Sequence, residues 1–530
     1  MAEKKQKYCL KISNIPVDIG QSTDLTGILS ENFGIALKDF CFLTILRKSI
    51  DARRGKVKQI YTVKADILLS PPHADKLLSF RDIEHYVPQP EKSVQKINRM
   101  KKRPVIIGCG PAGLFSALTL LERGVKPIIF ERGARISTRN IAINNFMANG
   151  RLNTESNMYF GEGGAGTFSD GKLTTRIKTP LKNSVLQEFV NAGAPEGILI
   201  ETRPHLGTDG LSIIIPNMVD NLSTKGADFF FNTAVTDIII ENSRISAVCT
   251  ADGRFDTDHV FLATGQNAHD IIRLLHAKRI LMSPKGFAAG FRIEHPRDLI
   301  DTCQYGRYKD HPELGAAEYY LTYKDKPTGK GVYSFCMCPG GFVVGCSAAK
   351  LQLCTNGMSR YDRNNVFSNA AIVVTVMPHD IASDNVLKGL DWSSAIEQRA
   401  YRMGGRNFSA PVQAAADFIA SRNRRKINRP VSYRPDVQPA DLNQCLDANI
   451  TEPLKRGLLN FNQKIPGFIE EGILYGAETR TSSPIRIQRN KKDYHCTGLY
   501  GLIPVGEVSG YAGGIMSCAV DGIKAANAFY

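Results

Sequence analysis

The residues best suited to chemistry are three glycines in G-x-G-x-x-G spacing, Gly108, Gly110 and Gly113, with Pro111 and Ala112 between them. In such a loop the first glycine permits a tight turn, and the second lets the backbone approach a pyrophosphate. The third allows a helix to pack closely on a strand. The pattern predicts that this loop holds the phosphates of a dinucleotide.

A carboxylate follows this loop at the distance that a dinucleotide site requires. Glu131 lies 23 residues after Gly108, where a carboxylate can accept hydrogen bonds from the ribose hydroxyls of an adenosine. Its charge would repel a 2′-phosphate and so argues against NADP at this site. Arg132 and Arg139 are further cofactor-binding candidates, and for Arg139 a contact with the pyrophosphate and a surface salt bridge are both open. These residues alone leave NAD and FAD open as the ligand.

The elements around the loop have the order that would position it. Pro104–Ile107 reads as a short buried strand, Leu114–Glu122 as an apolar helix and Lys126–Phe130 as a second strand. The free N–H groups and the positive dipole end of that helix would face the phosphates.

Residues 1–86 predict a small α/β unit that precedes the glycine loop. Its alternating and amphipathic segments give a ferredoxin-like order of strands and helices: Tyr8–Ile15, Asp24–Phe33, Phe40–Lys48, Lys58–Leu69 and Pro71–Ser79. Residues 87–103 combine proline, charge and little apolar content, which is typical of a linker.

Positive charge is concentrated in this N-terminal part. The 530-residue chain has a net charge of +16, and residues 1–103 hold 20 basic and 11 acidic side chains. A solvated basic face is the favoured interpretation, because no aromatic-rich RNA-binding signature accompanies the charge. A surface for RNA or another acidic partner is the alternative. The basic run Arg422–Arg429 is read as an exposed loop that could bind an anionic substrate or RNA.

The sequence predicts neither a membrane span nor a secreted protein. Its longest apolar stretch, 105–121, is interrupted by glycines and a proline, whereas a spanning helix needs about 20 apolar residues. No apolar run follows the basic N-terminal residues. Twelve cysteines without the paired spacing of secreted modules predict free thiols in a reducing, cytoplasmic compartment. Their spacing does not match a zinc site.

Three later segments distinguish FAD from NAD. A hairpin of Asp228–Ile240 and Arg244–Cys249 would present Val235 to an adenine, and the strand His259–Gly265 ends in Ala-Thr-Gly, with Thr264 and Gly265 as candidates. Near the C-terminus a strand leads to Gly506 and Glu507, and a helix opens at Gly513, Gly514 and Ile515. These elements resemble the glutathione-reductase-like flavoprotein fold. That resemblance implies FAD, with Glu507 at the ribitol and Gly513, Gly514 and Ile515 near the flavin ring, where the helix dipole would stabilise negative charge.

Longer strings are similar to a family of mainly bacterial FAD-dependent oxidoreductases that carry an FAD-dependent protein C-terminal region. The strings are SIDARRGKVKQIYTV, GEGGAGTFSDGKLTTR, RPHLGTDGL, FCMCPGGFVV, TNGMSRYDRN, ETRTSSPIRI and GEVSGYAGGI, spread over nearly the whole chain. The resemblance places Gly164, in the second glycine-rich loop, beside the cofactor; a surface loop is the alternative. Val508 and Ser509 stand where the family is expected to have a Gly-Ala pair.

Catalytic residues are not identified by any motif, and five candidates remain. Cys336 and Cys338 form C-x-C on a predicted strand, which would place both side chains on one face, and Cys338 is the candidate for a thiol near the flavin. Buried structural thiols are the default. His205 and Asp209 would form an acid–base pair if a helix begins near Gly207. Glu478 and Arg480 lie in a family string.

Together these observations predict an α/β protein with a Rossmann-type ββα FAD-binding domain, an inserted α+β substrate domain and an N-terminal ferredoxin-like α+β domain. The predicted boundaries are 1–86, linker 87–103, FAD-binding domain 104–270, substrate domain 271–489 and C-terminal return 490–530.

The predicted function is an FAD-dependent oxidoreductase that exchanges hydride between flavin N5 and a small-molecule substrate. No second G-x-G-x-x-G followed by an acid is present, which indicates a single-FAD enzyme without a second dinucleotide module. NAD(P)H is therefore a candidate electron donor only through transient docking. A flavin-dependent RNA-modifying enzyme and a non-catalytic redox-sensing flavoprotein are the alternatives.

Overall fold

The computed structural model describes residues 5–21, 23–88, 95–97, 100–381, 385–424 and 426–529. Contacts divide the chain into two compact units. The first comprises Met1–Ser93, Pro195–Pro204 and Gln304–Gly315, and the second comprises Val94–Ala194, His205–Cys303 and Ala316–Tyr530. The predicted linker 87–103 lies partly outside the described residues, as does part of the predicted loop 422–429.

The first unit is built on a four-stranded antiparallel sheet. Its elements follow one another in the order strand, helix, strand, strand, helix, strand: Gln6–Asp18, Leu25–Phe33, Phe40–Asp51, Lys58–Leu69, Pro71–Leu78 and Ile83–His85. In space the second, third, first and fourth strands are neighbours. Alternate side chains of Lys58–Leu69 are buried, because successive residues of a strand point to opposite faces. The helices and strands predicted for residues 8–79 are thus present, with ends that differ by a few residues.

The second unit contains a five-stranded parallel sheet. Its strands, in spatial order, are Leu502–Pro504, Val260–Leu262, Val105–Ile107, Ile128–Phe130 and Asp228–Phe230. The three central strands are almost wholly buried, as expected for a parallel sheet covered on both faces. The helices of this region are Pro111–Glu122, Ile136–Asn149, Leu181–Asn191, Gly207–Thr224, His269–Ala277 and Ile515–Ala528.

Next to the parallel sheet stands a three-stranded antiparallel sheet of Val235–Glu241, Arg244–Thr250 and Gly253–Asp256. The prediction of one continuous strand over 228–240 was wrong. Asp228–Phe230 pairs with Ile128–Phe130 in the parallel sheet, whereas Val235–Glu241 pairs with Arg244–Thr250. Asn232, with a φ of +55°, lies in the turn between them, and a strand cannot continue through that conformation.

A seven-stranded sheet occupies the middle of the chain. Its strands, in spatial order, are Thr322–Lys324, Gly331–Cys338, Phe367–Val376, Phe287–Pro296, Ile473–Glu478, Ala410–Ala414 and Val437–Pro439. The two shorter sheets pair Met282–Pro284 with Ile485–Ile487 and Phe342–Gly345 with Thr355–Met358. The remaining helices are Arg297–Tyr305, Lys388–Met403, Ala415–Ile419 and Ala448–Lys464.

The helix Ala448–Lys464 shows how this sheet is covered. Its residues Ile450, Leu454, Leu458 and Phe461 are completely buried, and their spacing of three or four residues places them on one helix face. All twelve cysteines are free thiols. Among the described residues, no helix combines the length and the apolar character that crossing a membrane would require.

Candidate cofactor-binding site

A cavity of about 400 Å³ opens at the carboxyl ends of the parallel strands. Gly108, Glu131 and Ala263, which directly follow three of those strands, all line it. Fourteen of the seventeen predicted cofactor-binding residues lie in its wall: Gly108, Gly110, Pro111, Ala112, Glu131, Arg132, Gly164, Val235, Thr264, Gly265, Glu507, Gly513, Gly514 and Ile515. The carboxyl end of a parallel sheet is where open α/β proteins bind ligands.

The first glycine loop has the close approaches that its sequence predicts. Gly108 has a φ of +105°, and a Cβ atom on it would lie 2.5 Å from the Ala263 carbonyl oxygen. A Cβ atom on Gly113 would lie 2.0 Å from the carbonyl oxygen of Gly108. Because it lacks a side chain, Gly113 permits the helix Pro111–Glu122 to begin directly against the loop. Gly113 itself does not line the cavity.

The second glycine loop reaches the first. A Cβ atom on Gly164 would lie 3.0 Å from Cα of Gly110. Because neither residue carries a side chain, both backbones reach the cavity wall and can come within hydrogen-bond distance of a ligand there.

The carboxylate of Glu131 is held in place by the backbone. Its Oε1 accepts hydrogen bonds from the N–H groups of Gly133 and Gly161, each at 2.9 Å, and its Oε2 accepts one from Cys109 at 2.8 Å. A carboxylate has about four acceptor positions. One position thus remains for a donor in the cavity, and Oε2, with one partner, is the oxygen that offers it.

The cavity wall also contains buried polar atoms without a partner in the chain. The hydroxyl of Thr264 and the side-chain oxygen of Asn267 have no hydrogen-bond partner among the described residues, and both residues line the cavity. Buried polar groups are normally hydrogen-bonded. These atoms, the two adjoining glycine loops and the apolar side chain of Val235 fit a large ligand with polar groups and an aromatic ring, as FAD has.

The C-terminal segment supplies the opposite part of the wall. Glu507 Oε1 accepts a hydrogen bond of 2.9 Å from the N–H of Gly514, and burial raises the pKa of the Glu507 carboxyl. Gly514 has a φ of +76° and is the N-cap of the helix Ile515–Ala528. A Cβ atom on Gly513 or Gly514 would meet no atom within 4 Å. The positive end of that helix therefore points towards open space in the cavity.

Arg139 and Gly506, predicted to bind the cofactor, do not line the cavity. Arg139 is completely buried. It donates from Nε to the Asn157 carbonyl oxygen at 2.8 Å and from Nη1 to that of Glu162 at 2.7 Å. Burial lowers the pKa of Arg139 to about 10. The Gly506 N–H donates to Asp521 at 2.8 Å. In the structure these two residues support the loops that form the wall.

Of the five catalytic candidates, Arg480 lines the cavity, and His205, Asp209, Cys338 and Glu478 do not. The helix Gly207–Thr224 begins where the acid–base hypothesis required. However, His205 Nε2 lies 2.8 Å from the Tyr361 carbonyl oxygen, and Asp209 accepts a 2.8 Å hydrogen bond from the Tyr361 N–H. Both side chains therefore hold the segment at Tyr361, and the acid–base hypothesis lacks a contact between them.

Arg480 is fixed by a buried ion pair. Its Nε and Nη2 donate to the two oxygens of Glu397 at 2.6 and 2.7 Å, a bidentate geometry. His269 contacts Nη1 of the same guanidinium. Burial, followed by the positive charge of Arg480, lowers the pKa of His269 to about 2. His269 is consequently neutral at physiological pH.

Several polar residues of the wall were not among the predicted cofactor-binding or catalytic residues, above all Lys172, Asp170, Asn356 and Cys336. Lys172 and Asp170 belong to the string GTFSDGK, and their position after a glycine loop was the available signal. The predicted common face for the two cysteines of the C-x-C pair was wrong. A register shift between Phe335 and Cys338 interrupts the strand, so Cys336 lines the cavity and Cys338 does not.

No group of three or more His, Cys, Asp and Glu side chains within the described ranges is arranged to hold a metal ion.

Comparisons with known proteins identify the family. Residues 286–481 match the model of the FAD-dependent protein, C-terminal domain-like family, and residues 102–269 match the pyridine nucleotide-disulphide oxidoreductase model. Residues 10–66 match a domain of unknown function. An uncharacterized protein of Clostridium beijerinckii is 40% identical over 526 residues, which cover 98% of both chains.

The structural comparison matches two oxidoreductases of known structure, among others. An L-amino acid deaminase from Proteus myxofaciens is 11% identical, covers 82% of this chain and 91% of its own, and has a TM-score of 0.34. L-proline dehydrogenase from P. horikoshii is 13% identical, covers 80% and 92%, and has a TM-score of 0.33. At such TM-scores these likenesses carry no argument about function.

The match over nearly the whole length of the Clostridium protein, together with the two flavoprotein family models, shows that the chain belongs to the FAD-dependent oxidoreductases with this C-terminal domain and that its cofactor is FAD.

Proposed function

We propose that the cavity at the carboxyl ends of the parallel strands holds FAD and that the protein transfers an electron pair between this flavin and a small-molecule substrate. One observation carries the proposal. Three segments that are far apart in sequence line one cavity: the glycine loop at 108–113, the Ala-Thr-Gly segment at 263–265 and the C-terminal segment at 507–515. Bound FAD would supply two-electron chemistry at its N5 atom.

The residues of the wall divide the work of holding the cofactor. The N–H groups of the Gly108–Gly113 loop and the dipole of the helix Pro111–Glu122 bind the pyrophosphate. Glu131, fixed by three backbone N–H groups, accepts a hydrogen bond from the adenosine ribose through Oε2. Glu507 binds the ribitol. The helix that begins at Ile515 stabilises negative charge on the reduced flavin.

The other predicted domains follow from this assignment. The parallel sheet with its helices serves as the Rossmann-type FAD domain, and the first unit, with its βαββαβ order, serves as the ferredoxin-like domain. The seven-stranded sheet and the segment that follows Glu478 contribute Phe335, Cys336 and Arg480 to the cavity wall, and the strand Thr355–Met358 contributes Asn356. These contributions to the cavity wall favour residues 271–489 as the domain that admits the substrate and excludes water from the flavin.

The test begins with the visible spectrum of the purified protein and the identity of any flavin released on denaturation. Anaerobic addition of NADH and then NADPH follows. A flavin spectrum that bleaches with one nucleotide supports the oxidoreductase and names its electron donor. Bleaching by neither nucleotide points to reduction by the substrate itself or to a redox-sensing role. A protein that neither contains FAD nor can be reconstituted with it refutes the proposal.

A matched pair of variants tests the position of the cofactor. Gly110→Val places a branched side chain where the first loop approaches the ligand, and we expect loss of FAD occupancy from a protein that still folds. Gly210→Val is the control, because Gly210 lies outside the cavity wall and a Cβ atom there meets only Leu206 Cβ, at 3.8 Å. Full FAD occupancy in Gly110→Val would contradict the assigned site.

A further inference from the structure

Two cysteines lie where the seven-stranded sheet meets the cavity. Cys336 lines the cavity, and Cys338, two residues further on, is completely buried behind it. All twelve cysteines are free thiols, and no residue role described above uses these two.

The backbone at the two cysteines departs from a regular strand. Residues i and i+2 of a strand are about 6.6 Å apart, close to the upper limit of the Cα separation that a disulfide tolerates. Here Cys336 has a φ of +44°, and the pairing register shifts between Phe335 and Cys338. A bulge of this kind re-aims a side chain. As a result Cys338 Sγ turns towards the backbone of its neighbour and donates to the Cys336 carbonyl oxygen at 3.4 Å.

Two cations hold this bulge. Arg292 donates from Nη2 to the Cys336 carbonyl oxygen at 2.5 Å, and the same nitrogen lies 3.4 Å from Cys338 Sγ. Lys172 donates to the carbonyl oxygen of Met337, between the two cysteines, at 2.5 Å. Glu478 partly balances Arg292, with both carboxylate oxygens 3.1 Å from Nη1.

These neighbours shift the pKa values of the two thiols in opposite directions. The Cys338 thiol and the positive charges of Arg292 and Lys172 lower the pKa of Cys336 against burial and the charge of Asp170. The neighbouring Cys336 thiol, together with burial, raises the pKa of Cys338. The pair therefore combines a more acidic thiol on the cavity side with a less acidic thiol behind it.

Cys336 also lies at the end of the cavity that the proposed function gives to the flavin. Its charge contributes to the raised pKa of Glu507, the residue assigned to the ribitol, and both residues line the cavity. Cys518 also lines the cavity, but burial and the charge of Glu507 raise the pKa of its thiol.

We propose that Cys336 and Cys338 are a redox-active dithiol that exchanges an electron pair with the bound flavin; this inference rests on the proposed function. In the oxidising direction the Cys336 thiolate and the Cys338 thiol form a Sγ–Sγ bond and release two electrons and the thiol proton. Oxidised FAD accepts the two electrons and one proton and becomes the reduced anion, so that atoms and charge balance. In the reverse direction a reduced flavin opens the disulfide. The protein thus stores two electron pairs.

The test counts electrons and thiols in the full-length holoprotein after treatment with diamide. We expect an anaerobic titration with dithionite to consume two electron pairs per FAD in the wild type and one in Cys336→Ser and Cys338→Ala. Before the titration, denaturation with iodoacetamide and digestion with trypsin give the peptide 331–350, which contains Cys336, Cys338 and Cys346. In the diamide-treated wild type we expect this peptide to carry one alkyl group instead of three.

Cys445→Ala is the control, because Cys445 is also completely buried but lies outside the cavity wall; we expect it to keep both electron pairs. The FAD content of each variant shows that it has folded. Wild-type protein that contains FAD, consumes one pair and alkylates all three cysteines would overturn the inference and leave the proposed function intact. Wild-type protein without FAD would overturn both.

Discussion

The three hydrogen bonds of Glu131 make a quantitative prediction about the variant Glu131→Gln. The glutamine oxygen can replace Oε1 and keep the bonds from Gly133 and Gly161. Its NH2 group then stands where Oε2 accepts the N–H of Cys109 at 2.8 Å, so that two donors face each other. Cys109 is completely buried, and its N–H loses its acceptor.

The cost follows from general magnitudes. Leaving one buried donor without an acceptor costs about 1 to 3 kcal/mol. We expect the FAD-free variant to be less stable to urea by that amount. FAD binding loses the hydrogen bond from the ribose to Oε2 as well, which for a charged acceptor is worth about 1.5 to 3 kcal/mol. This loss weakens the affinity for FAD by roughly ten- to a hundred-fold.

The assay combines urea unfolding of the FAD-free protein with titration by FAD, monitored through the change in flavin fluorescence. Glu241→Gln is the control, since Glu241 is an exposed glutamate outside the cavity whose ion pair with Arg254 spans 3.8 Å. We expect it to match the wild type in both measurements. A Glu131→Gln protein with wild-type stability and wild-type FAD affinity would refute the assigned role of this carboxylate.

Further predictions concern packing, a buried ion pair and pH. In the helix Ala448–Lys464, Gly457→Ala should lower the free energy of unfolding by about 1 to 3 kcal/mol, because its Cβ atom would lie 2.5 Å from a Val332 methyl group. In the control Gly210→Ala the new Cβ atom meets no such close neighbour, and the free energy of unfolding should rise by up to about 1 kcal/mol. Urea unfolding measures both. Arg480→Leu leaves the buried Glu397 without its partner and should cost about 3 to 5 kcal/mol, whereas adding Glu397→Leu should restore part of this loss in thermal unfolding. Burial raises the pKa of Glu478 to about 7. The folded state therefore binds this proton more tightly than the unfolded state, and stability should fall as the pH rises from about 4.5 to 7; a Glu478→Gln protein with an unchanged pH slope would contradict this.

The conformation of the glycine loop at 108–113 was predictable because local rules determine it. Gly108, Gly110 and Gly113 are needed wherever a backbone turns tightly against a phosphate, and the strand and helix around them follow from short-range hydrophobic patterns. The same is true of Glu131, whose distance along the chain is set by one strand–helix–strand unit. The C-terminal part of the wall was reached through the family resemblance, since nothing in its periodicity shows that residues 507–515 lie beside residue 108.

Other features depend on contacts that a single sequence does not display. The bulge at Cys336 is invisible in the alternation of residues 331–338, so Cys338 was selected in place of its neighbour. The hypothesis about His205 and Asp209 correctly located a helix start, but it gave no sign that Tyr361, more than 150 residues away, would engage both side chains. Lys172 acquires its position from the Met337 carbonyl oxygen, 165 residues further along the chain.

The spatial order of the parallel sheet has a consequence for how the protein is made. The helix Ile515–Ala528 packs tightly on Pro111–Glu122, since a Cβ atom on Gly522 would lie 2.4 Å from the Ala112 carbonyl oxygen. This helix and the strand Leu502–Pro504 of the parallel sheet are synthesised roughly 370 residues after Glu131. At usual rates of translation this interval lasts roughly 20 to 70 s. Throughout it the first glycine loop lacks the helix that closes its cavity, and the edge of Val260–Leu262 lacks its partner strand. The cavity that we assign to FAD is therefore completed only when these late elements have been synthesised and have docked.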